Sequence, residues 1–313
     1  MNLLVTGAWP EASAQLPTLE AMGYRTTFLQ QERDPLPCDP ARIEGVVCNG
    51  LFLHHPIRDF SKLRLVQLTS AGFDRVDTDW IRANHVALFN ARGVYSVPMA
   101  GFAVSGVLQL YKQAGFFLDN RRRHRWEKHR GLLELCGRTV TLLGCGSVGT
   151  CCAERFRAFG CRVLGVDLFP RTDAAYERIW PLDRLDEVLA QTDILVLTLP
   201  LTPQTRGLVD DRRLGLLKPG ALLVNISRGA VADEAAVVAA LRAGTLAGAV
   251  LDVFETEPLD PDSPLWEMEQ VILTPHNSFV SDRNNHRLTA LILENLRKAA
   301  EAGGGEHEKD EIV

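Results

Sequence analysis

The arrangement of apolar and polar residues along the chain predicts an α/β protein. From Arg138 onward, short apolar runs rich in β-branched residues alternate with amphipathic stretches of helical length. These runs are continuously apolar, which indicates strands buried on both faces of a parallel sheet with right-handed helical crossovers. The pattern therefore predicts a doubly wound domain with strands at residues 139–143, 162–166, 194–199, 221–226, 248–253 and 271–274.

The N-terminal third shows the same pattern more loosely and predicts a second, smaller α/β unit. Its strand candidates are residues 3–6, 45–48, 64–68 and 87–89, joined by helical or proline-rich pieces. The apolar stretch 99–118 has the pattern of one helix buried along a domain or subunit boundary. A further helix is predicted at 284–300, followed by the tail GGGEHEKDEIV, whose charge and glycine content predict fraying.

Composition and charge disfavour several classes of function. The 313 residues contain 34 basic and 39 acidic side chains, a net charge of -5, so no global positive field exists to hold nucleic acid or an anionic membrane. The N-terminus lacks the features of a secretory signal, and no stretch approaches the roughly 18 apolar residues of a membrane span. None of the seven cysteines lies in a C-x-x-C pair, so we expect reduced structural thiols, no metal site and a cytoplasmic location.

The segment RRRHRWEKHR, at residues 121–130, is a concentrated basic run that includes an aromatic residue. One interpretation is nucleic-acid binding through charge and base stacking, which would make the affinity strongly salt-dependent. A short cationic loop on an acidic protein is more often a solvated face or a contact between subunits. We therefore expect no nucleic-acid partner.

A glycine-rich turn predicts a dinucleotide site. The sequence GCGSVG, with Gly144, Gly146 and Gly149, lies between a predicted strand and a predicted helix, where glycines let backbone N–H groups approach a pyrophosphate. Asp167 ends the next strand, in position to accept hydrogen bonds from the adenosine ribose. A carboxylate there repels the 2′-phosphate of NADP, so NAD is favoured over NADP, although Arg171 weakens this preference.

The carboxyl ends of the predicted strands bring polar residues to one edge of the sheet, where open α/β sheets bind ligands. Arg228 follows the fourth strand and can clamp a carboxylate through two hydrogen bonds. His276 follows the last strand and is a candidate proton donor. Glu257 lies in the loop FETEP after the preceding strand, where it could pair with the imidazole, and Glu255 ranks second. Considered alone, Arg228 could be an ordinary surface arginine and His276 a structural histidine.

These segments resemble the D-isomer-specific 2-hydroxyacid dehydrogenase family, which includes phosphoglycerate, glycerate, lactate and formate dehydrogenases. The resemblance covers nearly the whole chain and rests on ELCGRTVTLLGCGSVG, LPLTPQTRGLV, LLVNISRGAVADE, LAGAVLDVFETEPL and VILTPH. In that family the positions occupied here by Arg228, Glu257 and His276 are the catalytic trio.

The resemblance implies an NAD-binding Rossmann domain at residues 99–281 and a smaller flavodoxin-like α/β substrate domain at 1–98, completed by the C-terminal helix 282–313. It also implies that Ser70, Ala71 and Gly72 present backbone N–H groups to the substrate carboxylate, which Arg228 binds as well. Asp252 is expected near the nicotinamide amide. The residues expected to line the cofactor are Gly144, Gly146, Ser147, Val148, Gly149, Asp167, Leu199, Pro200, Thr205, Ile226, Ser227, Arg228, Asp252 and His276.

The implied function is NAD-dependent interconversion of a 2-keto acid and a D-2-hydroxy acid by hydride transfer. Arg228 would bind the carboxylate and polarise the keto oxygen, and the His276–Glu257 pair would act as acid or base. Closure of the two domains would exclude water from the reaction. The family also implies a homodimer joined through the larger domain, with Trp126 approaching the cleft of the partner subunit.

Departures from the commoner family pattern leave the identity of the substrate open. The loop at residues 49–55 contains no Arg or Lys, so a 2-keto acid with a small or apolar side chain is favoured over 3-phosphoglycerate, although Arg75 or Arg92 could serve a phosphate. The positions that depart from the pattern are Gly101, Arg92, Thr198, Asn277, Ser278 and Phe279.

Other classes of protein fit the sequence less well. No Tyr is followed four residues later by Lys, as short-chain dehydrogenases require, and the cysteines are badly spaced for the zinc site of an alcohol dehydrogenase. The remaining alternative is a non-catalytic, NADH-sensing protein similar to the transcriptional co-repressors of the same family. Turnover of 2-keto acids distinguishes the two functions.

Overall fold

The computed structural model describes residues 1–301, and the predicted tail lies outside the described residues. The chain divides into two compact units, Met1–Tyr95 together with 281–301, and Ser96–Val280. Each unit is built on one parallel β-sheet flanked by helices. The predicted α/β class is confirmed.

The smaller unit has a five-stranded sheet in the flavodoxin-like order β2-β1-β3-β4-β5. The sequence pattern predicted four of these strands and missed β2, because β2 lies at the sheet edge, where Arg25 is exposed and only Leu29 is buried. The elements of this unit are β1 Asn2–Thr6, α1 Ala12–Ala21, β2 Arg25–Leu29, β3 Gly45–Cys48, β4 Leu65–Leu68, α2 Thr78–Ala83, β5 Ala87–Phe89 and α9 Asn284–Glu301, with 3₁₀ turns at Pro40–Arg42, Leu51–Leu53 and Ile57–Asp59.

The C-terminal helix α9 completes the core of the smaller unit. Its buried face carries Leu288, Ile292 and Leu296, spaced four residues apart as an amphipathic helix requires. The Tyr24 hydroxyl donates to the Leu296 carbonyl at 2.6 Å, and the indole N–H of Trp9 donates to Thr289 Oγ1 at 2.8 Å. These bonds satisfy buried polar groups and fix α9 on the unit that begins at the N-terminus.

The larger unit has a seven-stranded sheet in the order β12-β11-β10-β9-β6-β7-β8, which is the Rossmann strand order with one more strand. All six predicted strands are present, but β8 was missed because this short edge strand, RIWP, has one buried residue. The elements are α3 Ser96–Tyr111, α4 Ala114–Arg122, β6 Thr139–Leu143, α5 Ser147–Ala158, β7 Arg162–Asp167, β8 Arg178–Pro181, α6 Leu185–Leu189, β9 Ile194–Leu197, α7 Asp211–Leu214, β10 Ala221–Asn225, α8 Glu234–Ala243, β11 Leu246–Leu251 and β12 Val271–Leu273, with 3₁₀ turns at Leu182–Arg184, Gly229–Val231 and Pro264–Glu267.

The prediction of a single helix over residues 99–118 is wrong, because the chain breaks between α3 and α4. Gln113 adopts a left-handed conformation with φ of 53°, which interrupts the helical backbone just before α4 begins. Before the break, α3 packs on the sheet at Gly106, where a Cβ atom would lie 2.6 Å from Val250 Cγ1. The glycine therefore lets the helix approach the sheet closely.

Among the described residues, no helix combines the length and apolarity needed to cross a bilayer. All seven cysteines are free thiols, and Cys136 is the exposed one. Burial raises the pKa of the Cys145 thiol to about 12 and that of the Cys161 thiol to about 11. Thiols of this kind carry little thiolate at neutral pH and react slowly.

We predict that a disulfide reagent labels Cys136 in a rapid first phase, because the other thiols are buried or half-buried. Counting thiols in the native and the denatured protein measures this, and Cys136→Ser is expected to remove the rapid phase. Rapid labelling of several thiols in the Cys136→Ser variant would contradict the packing described here.

Candidate active site

The glycine-rich turn after β6 has the geometry of a pyrophosphate-binding loop. Gly144 has φ of 101°, a conformation that glycine adopts readily, and it starts the tight turn into α5. A Cβ atom on Gly149 would lie 2.0 Å from the Gly144 carbonyl oxygen, so only glycine allows the helix to pack this closely. A Cβ atom on Gly146 would have no heavy atom within 4 Å apart from those of the adjoining residues. These residues fit a dinucleotide, because the N-terminus of α5 has room to receive its phosphates.

Asp167, at the end of β7, lies next to this loop. Its Oδ2 accepts a hydrogen bond from the Cys145 amide at 2.6 Å, and its Oδ1 accepts one from the Phe169 amide at 3.0 Å. Arg171 donates from Nη2 to the carbonyl of Cys145 at 2.6 Å. The structure thus places a carboxylate and a guanidinium on the two polar groups of one loop residue.

The segment after β9 braces the glycine-rich turn. The Thr198 hydroxyl donates to the Gly144 carbonyl at 2.6 Å. Thr205 is buried, and its hydroxyl donates to the Pro200 carbonyl at 2.7 Å while accepting from the Thr202 amide at 2.8 Å. These bonds fix the loop that carries the predicted cofactor residues Leu199, Pro200 and Thr205.

A buried amide shapes the turn that carries Arg228. Asn225 ends β10, and its Oδ1 accepts hydrogen bonds from both the amide and the hydroxyl of Ser227, at 3.1 and 2.8 Å. Its Nδ2 donates to the Arg228 carbonyl at 3.2 Å, and Arg228 Nη1 donates to the Ser227 carbonyl at 2.8 Å. Sequence reasoning did not single out Asn225, although a polar residue that ends an apolar strand was the available signal.

The Arg228 turn is packed directly against the loop that follows β11. A Cβ atom on Gly229 would lie 1.9 Å from the carbonyl carbon of Phe254 and 2.4 Å from the amide nitrogen of Glu255. The backbone of the Arg228 turn therefore touches the backbone that leads to Glu257.

His276 and Glu257 form the predicted pair. The imidazole Nδ1 lies 2.9 Å from Glu257 Oε2, and Glu257 Oε1 accepts a hydrogen bond from the Phe254 amide at 3.1 Å. The two side chains are 41% and 37% exposed, so a ligand can reach the ring. Glu255, the second-ranked candidate, instead accepts a hydrogen bond from the Glu234 amide at the start of α8. Glu257 is thus the carboxylate that contacts the imidazole.

Asp252 holds the turn that carries His276. The carboxylate is fully buried, and it accepts hydrogen bonds from the Thr274 hydroxyl at 2.6 Å, the Asn277 amide at 2.7 Å and the Ser278 amide at 3.0 Å. The Asp252 carbonyl also accepts from the His276 amide at 2.8 Å. His276 itself has φ of 50°, an unfavourable conformation for a residue with a side chain. This bracing of His276 by Asp252 was not foreseen from the sequence, and the predicted contact of Asp252 with the nicotinamide stays a prediction.

The remaining predicted cofactor residues occupy the same edge of the larger unit. Ser147 and Val148 begin α5 and are half-buried, whereas Ile226 and Ser227 are buried in the turn after β10. In residues 1–301 no group of three or more His, Cys, Asp or Glu side chains is placed to hold a metal ion.

In the smaller unit, Ser70, Ala71 and Gly72 form the turn after β4. The Ser70 hydroxyl donates to the Gly72 carbonyl at 2.7 Å, and the Ser70 carbonyl accepts from the Ala91 amide at 2.8 Å. The Tyr95 hydroxyl donates to the carbonyl of Thr69 at 2.6 Å. The carbonyl groups of this turn are therefore tied down within the unit, and the turn lies at the carboxyl edge of its own parallel sheet.

A Rossmann sheet with a dinucleotide loop and an acid–base pair at its carboxyl edge is characteristic of nicotinamide-dependent oxidoreductases. Comparison with known proteins gives the family. The profile of "D-isomer specific 2-hydroxyacid dehydrogenase, NAD binding domain" matches residues 104–278. This chain belongs to the D-isomer specific 2-hydroxyacid dehydrogenases, so it is an NAD-dependent enzyme that interconverts a 2-keto acid and a 2-hydroxy acid.

Individual relatives support this assignment. The chain is 36% identical over 244 residues to an (S)-sulfolactate dehydrogenase from Chromohalobacter salexigens, covering 77% of this chain and 78% of the relative. It is 32% identical over 240 residues to a glyoxylate reductase from Korarchaeum cryptofilum, covering 75% and 72%. A crystal structure of a D-isomer specific 2-hydroxyacid dehydrogenase from Xanthobacter autotrophicus, in complex with NADPH and MES, matches with a TM-score of 0.79 and 30% identity over 99% of this chain and 98% of that one. These relatives are named as enzymes, and the comparisons give no support to the co-repressor alternative.

Gly229→Ala tests the contact between the Arg228 and Glu257 loops. The added Cβ would force the Phe254 backbone away, and we expect a loss of about 1–3 kcal/mol in the free energy of unfolding together with a large loss of turnover. The matched control is Gly215→Ala, where φ is -67° and the nearest atom lies 3.4 Å from the new Cβ, with an expected change within about 0.5 kcal/mol. Denaturant unfolding and steady-state kinetics measure both, and equal behaviour of the two variants would contradict the close approach.

Proposed function

We propose that Arg228, Glu257 and His276 carry the reaction of this dehydrogenase. The observation that supports this most directly is the 2.9 Å contact between His276 Nδ1 and Glu257, on a loop whose backbone touches the Arg228 turn. This contact uses one ring nitrogen and leaves Nε2 as the atom that exchanges a proton with substrate. The Glu257 carboxylate orients the ring, and the turn that carries the Arg228 cation packs against the same loop, an arrangement that suits proton transfer to a keto oxygen.

Each side chain then has a distinct chemical task. Bound NAD(H) supplies the hydride chemistry. Arg228 binds the substrate carboxylate and stabilises the negative charge that develops on the keto oxygen. His276 donates a proton from Nε2 to that oxygen during reduction and accepts it during oxidation, while Glu257 holds Nδ1 and balances the charge of the imidazolium.

The remaining roles are extensions of the family assignment to this chain. We propose the smaller unit as the substrate domain, in which Ser70, Ala71 and Gly72 offer amides to the substrate carboxylate. The residues of the glycine-rich turn, Gly144 to Gly149, hold the dinucleotide together with Asp167. The Asp167 carboxylate favours NAD over NADP.

For the substrate we propose a 2-keto acid with a small or apolar side chain. The loop at residues 49–55 offers no Arg or Lys, and its Leu53 side chain is 62% exposed. A phosphorylated substrate requires a cationic partner, and within the loop itself there is none, although Arg75 Cδ lies 3.8 Å from the position of a Cβ atom on Gly50. The glyoxylate reductase relative supports a small substrate.

We further propose a cytoplasmic homodimer. The segment around the basic run exposes large apolar side chains, with Trp126 97% exposed and Phe117, Leu132 and Leu133 about 40% exposed, which is unusual for a surface that faces only water. Seven free thiols suit a reducing compartment. Light scattering at micromolar concentration is expected to give twice the chain mass, and a monomer would refute the dimer.

The proposed reaction is tested by following NADH oxidation against glyoxylate, pyruvate, branched 2-keto acids and 3-phosphohydroxypyruvate. We expect turnover of an unphosphorylated 2-keto acid and a loss of at least about 100-fold in kcat/KM for Arg228→Ala, because the guanidinium binds carboxylate and oxyanion together. Circular dichroism controls for folding of the variant. Full activity of Arg228→Ala would overturn the assignment, and a strong preference for 3-phosphohydroxypyruvate would overturn the proposed substrate class.

The pairing of Glu257 with His276 predicts non-additive kinetics. We expect His276→Asn to lower kcat by about 100-fold or more and Glu257→Gln by a smaller factor, since the carboxylate acts through the ring. The double variant should then be no slower than His276→Asn alone. Steady-state rates of the three variants measure this, and independent, multiplicative losses would show that Glu257 does not work through His276.

A further inference from the structure

The turn after β4 is held by the segment that follows β5. Three successive carbonyl groups of the turn each accept one hydrogen bond from a donor in residues 90–95. The pairs are the Tyr95 hydroxyl with the Thr69 carbonyl at 2.6 Å, the Ala91 amide with the Ser70 carbonyl at 2.8 Å, and Asn90 Nδ2 with the Ala71 carbonyl at 2.5 Å. Two of the three donors are side chains, so a substitution can remove them one at a time.

These bonds decide where the amide groups of the turn point. In a trans peptide the C=O of one residue and the N–H of the next lie in one plane and point in opposite directions. A bond that fixes the Thr69 carbonyl therefore also fixes the Ser70 amide. In the same way, a bond that fixes the Ala71 carbonyl fixes the Gly72 amide. Each side-chain donor thus sets the direction of one amide.

The amide groups of the turn are available to a ligand. Among residues 1–301, no acceptor takes a hydrogen bond from the amide of Ser70, Ala71 or Gly72. Ala71 is exposed, and the other two residues are half-buried. Successive backbone N–H groups in a turn can together bind an anion. This is the role proposed above for the turn, with the substrate carboxylate as the anion.

The segment that supplies the donors is itself fixed. Ala91 and Val94 are buried, and the Val94 carbonyl accepts a hydrogen bond from Arg287 Nε, on α9, at 2.7 Å. Asn90 Oδ1 accepts a hydrogen bond from the Arg92 amide at 3.0 Å, which holds the side-chain amide with Nδ2 toward the turn. The donors therefore approach the turn from a backbone that the core of the smaller unit holds in place.

The Tyr95 hydroxyl is suited to this task. Burial raises the pKa of the Tyr95 phenol above its ordinary value, so the hydroxyl stays protonated and can donate at neutral pH. Thr69 is buried, so water cannot readily replace the phenol as the donor to its carbonyl. Loss of the hydroxyl would leave this peptide group without a partner that fixes its direction.

We propose that Tyr95 and Asn90 are positioning residues for substrate binding, which hold the Ser70 and Gly72 amides toward the substrate carboxylate. This inference rests on the proposed role of the turn and names the side chains that orient it. Both residues act through backbone amides rather than on the reacting atoms. Their removal therefore weakens the binding of substrate and leaves the chemical step nearly unchanged.

Tyr95→Phe tests the proposal, because it keeps the aromatic ring and removes only the hydroxyl. We expect the KM for the fastest 2-keto acid of the panel above to rise by about tenfold, with kcat within about twofold of the wild-type value and the KM for NADH unchanged. Asn90→Ala should raise the same KM in the same way. The dissociation constant of oxamate from the complex with NADH, measured by calorimetry, should rise by a similar factor in both variants.

Tyr24→Phe is the matched control. The Tyr24 hydroxyl also donates to a backbone carbonyl of the smaller unit at 2.6 Å, but this carbonyl belongs to Leu296 on α9. Both phenylalanine variants should lower the midpoint of denaturant unfolding by similar amounts, whereas only Tyr95→Phe should raise the KM.

The proposal would be overturned by an unchanged KM in Tyr95→Phe or Asn90→Ala, by a loss that falls on kcat instead, or by an equal rise of KM in Tyr24→Phe. Each of these results would leave the dehydrogenase function intact. A wild-type protein that reduces none of the 2-keto acids would instead overturn the proposed function.

Discussion

The active-site edge of the larger unit depends on the hydrogen bonds that the buried Asp252 carboxylate accepts. An ionised group without partners would be strongly destabilising in a fully buried position, so its three hydrogen bonds from the Thr274–Ser278 segment are obligatory. Two of these bonds come from the amides of Asn277 and Ser278, directly after His276, so the carboxylate helps to hold His276 in its left-handed conformation, which costs roughly 1–3 kcal/mol. The same carboxylate thus stabilises the fold and orients His276, the proposed proton donor.

A second constraint is the close approach of neighbouring loops at the carboxyl edge of the sheet. Gly229 lets the Arg228 turn touch the backbone beside Phe254, and Gly149 lets α5 touch the Gly144 carbonyl. Because backbone atoms make these contacts, the loops are held firmly against the ends of the strands. The strands therefore fix the positions of Arg228, Glu257 and the phosphate loop. Precise placement of this kind favours reaction, since catalytic groups act only when held in the productive geometry.

Much of this arrangement could be predicted from the sequence, because buried parallel strands are continuously apolar and their ends fall at one edge. The strand-end rule pointed to Arg228 and His276, and the loop pattern pointed to Glu257, whose contact with the imidazole the structure shows. The edge strands β2 and β8 were not predicted, because half-exposed strands lack a continuous apolar run. The break at Gln113 was not predicted either, because the sequence on both sides of it has a helical pattern.

The roles of Asn225 and Asp252 could not be predicted from spacing, because their partners are backbone amides and hydroxyls that only the folded chain brings within hydrogen-bonding distance. The sequence shows Asp167 and Arg171 four positions apart, but only the fold places both on Cys145.

Arg228 and the His276–Glu257 pair are proposed to converge on the carboxylate and keto oxygen of one 2-keto acid. A crystal structure with NADH and oxamate, an unreactive analogue of pyruvate, tests this proposal most directly. We predict that oxamate lies with its carboxylate on the Arg228 guanidinium and its amide carbonyl oxygen within hydrogen-bond distance of His276 Nε2, with Nδ1 still on Glu257. Oxamate bound away from Arg228, or a His276 ring turned so that Nε2 faces the protein, would contradict the account.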